Sequence, residues 1–195
     1  MQKDGYGVIE DFKAFVVREK ENDVFSSGIE TKKFEELPNH DVTIKVKYSS
    51  LNYKDALSSL GNKGVTKIYP HTPGIDASGI VISSRNKKFH EGDQVVVTGY
   101  DLGMNTSGGF SECIRVPSDW VVKLPETISL KYAMAIGTAG LTAALCIDLL
   151  SKNSKIKKRH AVVTGSTGGV GSIAIQLLSK LGAEITAVTG KNESA

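Results

Sequence analysis

Val163-Thr164-Gly165-Ser166-Thr167-Gly168-Gly169-Val170-Gly171 is a glycine-rich run set between two different hydrophobic periodicities. Before it, His160 to Thr164 is a short apolar segment of strand character. After it, Val170, Ile173, Ala174, Leu177, Leu178 and Leu181 recur at spacings of three, one, three, one and three, the apolar face of a helix. Gly182 is a fitting C-terminal stop, and Glu184 to Thr189 then reads as a second strand. Strand, glycine turn, helix and strand make one βαβ unit, so an α/β fold with a parallel sheet is expected here.

That placement gives the turn a chemistry. A helix N-terminus offers unpaired N–H groups and the positive end of the helix dipole, which suits an anion such as a pyrophosphate. Gly168 and Gly169 leave the backbone open to close approach, and Gly171 lets the helix pack near the strand. In the dinucleotide-binding fingerprint of a Rossmann doubly wound sheet, Ser166 stands where the first glycine is usual. The bland alternative is a tight turn without a ligand. The end of the second strand, Val188-Thr189-Gly190-Lys191-Asn192, lacks the acidic residue that binds a ribose 2′-hydroxyl, and Glu193 comes later. Thr189 and Lys191 suit a 2′-phosphate instead, so NADP(H) is expected over NAD(H). The expected cofactor contacts in this half are Thr167, Gly168, Gly169, Val170, Gly171, Thr189, Gly190 and Lys191.

Working outward, the N-terminal half is β-rich. Phe12 to Glu19, Gly74 to Ser84, Gln94 to Thr98, Phe110 to Val116 and Trp120 to Leu124 are strand candidates. In Val42 to Tyr48, Val42, Ile44, Val46 and Tyr48 alternate with Thr43, Lys45 and Lys47, the period-two signal of a strand. Asn52 to Leu60 reads as a short helix. Strands at this spacing, separated by Gly and Pro, suggest a barrel-like or sandwich-like β domain. The texture changes near Pro125, and Ser129 to Lys152 reads as a helix with Ser129 at its N-cap. The expected organisation is a β-rich domain over 1–125 and an incomplete nucleotide-binding domain over 126–195. The basic stretch from Lys152 to Arg159 reads as a solvated connector.

Composition agrees with a soluble globular protein. Of 195 residues, 40% are hydrophobic and 23% charged, and 24 basic against 21 acidic residues leave a net charge of +3, too small a surplus to argue for nucleic acid. Ala133 to Leu150 comes nearest to a membrane span, but Gly137, Thr138, Gly140, Thr142 and Asp148 interrupt it and it reads as a buried helix. Met1 to Lys13 has no apolar core of a secretory signal, so a cytoplasmic location is expected. Cys113 and Cys146 are too few for a disulfide framework and read as small buried residues. His40, His71, His90 and His160 show no ligand spacing.

Leu51-Asn52-Tyr53-Lys54-Asp55, Pro73-Gly74-Ile75-Asp76-Ala77-Ser78-Gly79 and the glycine turn, joined by Gly137-Thr138-Ala139-Gly140-Leu141-Thr142-Ala143-Ala144, resemble the medium-chain dehydrogenase/reductase superfamily. Within it they look like the zinc-free quinone oxidoreductase branch, in the quinone oxidoreductase and acrylyl-CoA reductase subgroup. The resemblance runs from about Lys13 to Gly190 and implies a GroES-like barrel followed by the first part of a Rossmann domain. Where zinc-dependent relatives hold a catalytic zinc, this chain has Asn52, Ile75 and Thr138, so no metal is expected. The resemblance implies NADPH-dependent hydride transfer to an enoyl thioester like acrylyl-CoA, or to a quinone.

Tyr53, Asn52 and Asp76 are the candidate catalytic residues: Tyr53 beside the cofactor or relaying a proton, Asn52 orienting substrate or cofactor, and Asp76 fixing Asn52 or a backbone donor. Each also has a plain structural reading as a packed, capping or buried residue. Tyr53 and Thr138 join the expected cofactor contacts. Two alternatives stand beside this one. The turn also satisfies the short-chain dehydrogenase pattern, but no Tyr-x-x-x-Lys pair follows it. A full six-stranded nucleotide domain needs more residues than follow Leu124, so the chain is also readable as a truncated, inactive or binding-only fragment. In that view the homodimer interface implied by the resemblance lies in the absent part.

Overall fold

A computed structural model describes residues 10–190. The chain divides into two compact units, with the division between Ala135 and Ile136. In the first, strands β1 (Asp11–Glu19) and β2 (Phe25–Lys33) form an antiparallel hairpin, Asp11 opposite Lys33 and Glu19 opposite Phe25. Then come β3 (Val42–Tyr48), the short helix α1 (Tyr53–Ser59), β4 (Asp76–Ser84), β5 (Gln94–Thr98), β6 (Cys113–Val116) and β7 (Val121–Lys123). The five strands after the hairpin make one antiparallel sheet in the order β6-β3-β4-β5-β7. Bridges from Ala14 to Ser111 and from Val17 to His71 tie β1 to the loops beside that sheet.

The alternation read in the sequence is what builds the core. Val42 and Ile44 of β3, Ala77 and Val81 of β4, Val95 and Val97 of β5, and Ile114 and Val116 of β6 pack with Phe89, Leu102 and Val121. A second cluster, Phe12, Ala14, Val16, Leu37 and Cys113, lies under the hairpin. The hairpin's second strand, β2, was not expected from the sequence. It holds Ser26, Ser27, Gly28, Glu30 and Thr31 and gives no apolar alternation; its order comes from pairing with β1 along its whole length.

Helix α2 (Leu130–Asn153) is interrupted at Gly137, where φ 50° and ψ −160° are far from helical values. Only glycine enters that region without cost, which explains why the expected continuous helix breaks here. The turn before the break is held within the first unit: Ser78 Oγ donates to Leu130 O at 2.8 Å and Ser50 Oγ to Met134 O at 2.7 Å. By length and composition α2 is apolar enough to cross a membrane, and 33% of its most apolar window is buried. In the second unit, β8 (His160–Thr164), α3 (Gly169–Lys180) and β9 (Glu184–Val188) form the expected βαβ, with β8 and β9 parallel and in register from His160–Glu184 to Thr164–Val188.

A further expectation fails. Cys113 is buried, but Cys146 is exposed, because α2 turns only a narrow line inward, Ala143 and Ile147, and Cys146 falls beside it. Burial pushes the Cys113 thiol up to about 11, leaving it inert at neutral pH. A thiol reagent is therefore expected to label Cys146 in the native chain and Cys113 only on unfolding, which mass spectrometry reads directly.

His71 gives a second prediction. Its ring is buried against Tyr69, and Nε2 has no hydrogen-bond partner among the described residues. Burial holds its pKa below the ordinary 6.5, although the Gly103 carbonyl and Asp101 pull it up. Because the folded value is the lower one, the stability is complete above pH 6.5 and is lost as pH falls through the folded value. Urea unfolding against pH should show that acid-side loss, and His71→Phe should flatten it.

Candidate active site

In the first unit, the two motif segments meet at a pair of buried carboxylates. Asn52 is the N-cap of α1, in extended backbone with φ −125° and ψ 155°. Its N–H donates to Asp55 Oδ2 at 2.8 Å, the reciprocal half of a capping box. Asp55 Oδ1 accepts the N–H of Ile75 at 2.9 Å, so one carboxylate grips both segments. Asn52 Nδ2 donates to Asp76 Oδ2 at 3.0 Å. An ionised carboxylate only accepts, so this bond sets which end of the Asn52 amide faces Asp76. Ser49 Oγ donates to Asp76 O at 2.6 Å and holds the same segment from the other side. Asp55 and Asp76 are buried and Asn52 is half-buried. Burial pushes the Asp55 carboxyl above its ordinary 3.8 despite the N–H groups of Asn52 and Ile75, and Asp76 nearby pushes the same way.

Of the expected catalytic residues, Asn52 and Asp76 are thus brought together. Tyr53 is the first residue of α1 and 80% exposed, its ring outside the core. Asp55 belongs to the quoted motif but had no assigned role. Its sequence signal was the Asn-x-x-Asp spacing of a capping box, which shows only the local half of its bonding.

In the second unit, Gly168 is the N-cap of α3, with no side-chain cap among the described residues. Thr167, Gly168, Gly169 and Val170 are exposed, while Gly171 is buried. A β-carbon on Gly171 would lie 2.4 Å from Gly165 O and 2.8 Å from Ser166 Cα, so the close packing expected there is real. Ser166 N–H donates to Val188 O at 3.1 Å, and Thr167 Oγ1 lies 3.3 Å from Thr189 Oγ1. The glycine turn and the end of β9 are thereby joined, as a cradle for one ligand requires. An apolar cleft of about 720 Å³, lined by Ala143, Ile147, Val163, Ala174 and Leu178, also includes the turn. Thr138 is half-buried just after the break at Gly137, and its carbonyl accepts the Thr142 hydroxyl at 2.8 Å. Gly190 is exposed, and Lys191 lies outside the described residues.

The family model of the alcohol dehydrogenase GroES-like domain matches residues 38–126. YhfP of Bacillus subtilis, which bears a quinone oxidoreductase name, is 47% identical over 178 residues, 91% of this chain and 54% of YhfP. The acrylyl-CoA reductase AcuI of Ruegeria pomeroyi is 41% identical over 186 residues, 94% of this chain and 56% of AcuI. The structure of the yhdH oxidoreductase from Salmonella enterica in complex with NADP superposes with a TM-score of 0.88 at 42% identity, covering 93% of this chain and 56% of that one. Over nearly its whole length the chain is similar to these oxidoreductases, and residues 38–126 carry the match to the alcohol dehydrogenase GroES-like domain. It spans about half the length of the curated relatives it matches.

The fit of a zinc ion is decided by donor chemistry. Ile75 has no side-chain donor atom, is buried, and gives its N–H to Asp55. Neutral Asn52 and Thr138 are poor zinc ligands. The residues present do not fit a catalytic zinc. Among the described residues no three His, Cys, Asp or Glu side chains gather as a metal site would need.

The Asn52–Asp76 contact makes a stability prediction. Asn52→Ala removes a donor from a buried carboxylate and is expected to cost about 1–3 kcal/mol. Asn52→Asp, which sets a third carboxylate against two, should cost more; urea denaturation of the three chains gives the order.

Proposed function

We propose that residues 1–125 form the substrate domain, and 126–195 the opening part of the NADP-binding domain, of an NADPH-dependent, zinc-independent oxidoreductase. The acceptor is an activated alkene such as an acrylyl-CoA-like enoyl thioester, or a quinone. The observation that carries the reading is the exposed glycine turn at the N-terminus of α3, without a side-chain cap among the described residues, in a chain 41–47% identical to AcuI and YhfP. Backbone N–H groups of Gly168, Gly169, Val170 and Gly171 suit a pyrophosphate, as helix N-termini do. The structure of YhfP holds NAD and that of the Salmonella oxidoreductase holds NADP, so the relatives leave the choice open. The paired hydroxyls of Thr167 and Thr189, the strand end without an acid, and Lys191 favour the 2′-phosphate. Gly190 lets the chain pass closely there.

NADPH, when bound, supplies the hydride, and the protein's part is to orient and polarise. In this reading Asn52, fixed by Asp76, orients the acceptor or the cofactor. Tyr53 offers an exposed hydroxyl beside the nicotinamide, to hold it or relay a proton, and Thr138 contributes on the cofactor side. The protein is soluble and cytoplasmic in this proposal, and the full-length enzyme is a homodimer. One observation favours the second reading, a fragment that does not turn over: Val162 on the β8–β9 sheet is 60% exposed, where a parallel sheet normally buries both faces.

Titration of the 195-residue chain with NADPH, followed by NADPH oxidation with acryloyl-CoA and with a quinone, is expected to show binding and turnover. Absence of binding here, with activity in a longer version, would establish the fragment reading. Lys191→Glu should weaken NADPH roughly tenfold or more, the loss of about one charge-assisted contact, and NADH far less. Equal effects would refute the 2′-phosphate assignment.

A further inference from the structure

We propose that Asp55 is a positioning residue for this site: its carboxylate staples the entry of α1 to the Ile75–Asp76 segment and so sets Asn52 against Asp76 and Tyr53 at the helix start. The inference rests on the proposed oxidoreductase reading for what the site does, but its geometry stands apart from that reading.

Three observations carry it. First, the two oxygens divide their work, Oδ2 to Asn52 N–H at 2.8 Å and Oδ1 to Ile75 N–H at 2.9 Å, across twenty residues of sequence. Second, each gripped peptide adjoins a candidate catalytic group. Fixing the Asn52 N–H fixes the chain's entry into α1, which begins at Tyr53, and fixing the Ile75 N–H fixes the residue before Asp76. The 3.0 Å bond from Asn52 to Asp76 closes the loop. Third, Asp55 is only 2% exposed, and a buried carboxylate is a costly way to cap a seven-residue helix. Its raised pKa makes that cost explicit. Because the folded value lies above 3.8, its favourable contribution is complete below that pH and is lost as pH rises through the folded value, so ionised Asp55 opposes folding at neutral pH. An amide in its place presents one acceptor and one donor, which leaves one of the two N–H groups facing a donor.

The test has two arms. In the first, 15N spectra of the wild-type 195-residue chain are recorded against pH. The backbone signals of Asn52 and Ile75 and the side-chain NH2 of Asn52 should shift together with one midpoint above 3.8. This arm needs no variant and no activity. In the second, Asp55→Asn should lower kcat roughly ten- to a hundredfold, as misplacement of orienting groups does, with little change in KM for NADPH. It should also remove the acid limb of the kcat profile. A common midpoint in the spectra and a fall confined to kcat support the proposal. Independent titration of the three signals, or an Asp55→Asn chain with lowered Tm but unchanged kcat, overturns it. If the wild-type chain does not turn over, the oxidoreductase reading of this chain fails, and the spectra alone decide the role of Asp55. If Asp55→Asn does not fold, they decide it as well.

Discussion

Backbone touches backbone where the segment around Gly74 crosses the loop from Gly103 to Gly109. A β-carbon on Gly103 would fall 2.5 Å from the Gly74 carbonyl carbon, one on Gly108 would fall 2.5 Å from Gly74 O, and one on Gly109 would fall 2.4 Å from Asp76 O. With no side chains between them the two segments bond directly: Gly108 N–H to Thr72 O at 2.7 Å, Gly109 N–H to Gly74 O at 2.8 Å, and Phe110 N–H to Pro73 O at 3.0 Å. Gly74 itself has φ 109°, which a side chain would resist. This crossing fixes Pro73 to Asp76 from one side, and Asp55 and Asn52 can then fix it from the other. The carboxylate–amide arrangement at the candidate site is the second half of a clamp whose first half is steric.

The two halves of that clamp differ in what they demand. The glycine crossing works by exclusion and has no charge, so it is indifferent to pH. The Asp55 and Asp76 half works by hydrogen bonds to buried carboxyl groups, which carry a desolvation cost. Burial is the main cause that pushes Asp55 up, and the nearby Asp76 adds to it. The amide of Asn52 offsets this by placing a donor at Asp76 without adding a charge. An amide is well suited to that position: it serves the neighbouring carboxylate without adding a charge.

Much of this was legible in the sequence, and the exceptions have physical causes. Period-two alternation announced β3 because Val42 and Ile44 lie together on its buried face. The βαβ was legible because its glycine turn and its helical stripe are both local signals. β2 was not, because its order is borrowed from β1 and its own residues are polar. The break at Gly137 was hidden in a run of good helix formers, and a lone glycine in such a run does not announce a broken helix. Cys146 looked like a core residue on composition, but one residue of offset on a helix moves a side chain by about 100° and so off the buried line. At the site, the Asn52 to Asp76 contact was one of the two partners expected for Asp76, the other being a backbone donor. Asp55 was passed over because its decisive partner, Ile75, is a backbone group twenty residues on, and backbone acceptor demand leaves no mark on residue type.

The two units carry unequal shares of burial, and the division matches the roles proposed for them. Both core clusters belong to the first unit. The second has few fully buried side chains, chiefly Ala143, Ile147 and Leu178, and leaves Val162, Leu145 and Leu149 open to solvent. Groups that orient a reacting atom must hold it to a fraction of an ångström, which only a well-packed frame supplies. The Asn52–Asp55–Asp76 network accordingly sits in the better-packed unit. An anion at a helix N-terminus makes a weaker geometric demand, since the dipole and several N–H groups share the work and the attraction falls off gently over the first turn. A less buried βαβ meets that demand, and a ligand bound only to its folded form would in turn stabilise it by mass action. In the proposed function, precision and affinity would thus be separated along the chain, with the orienting groups in the better-packed unit.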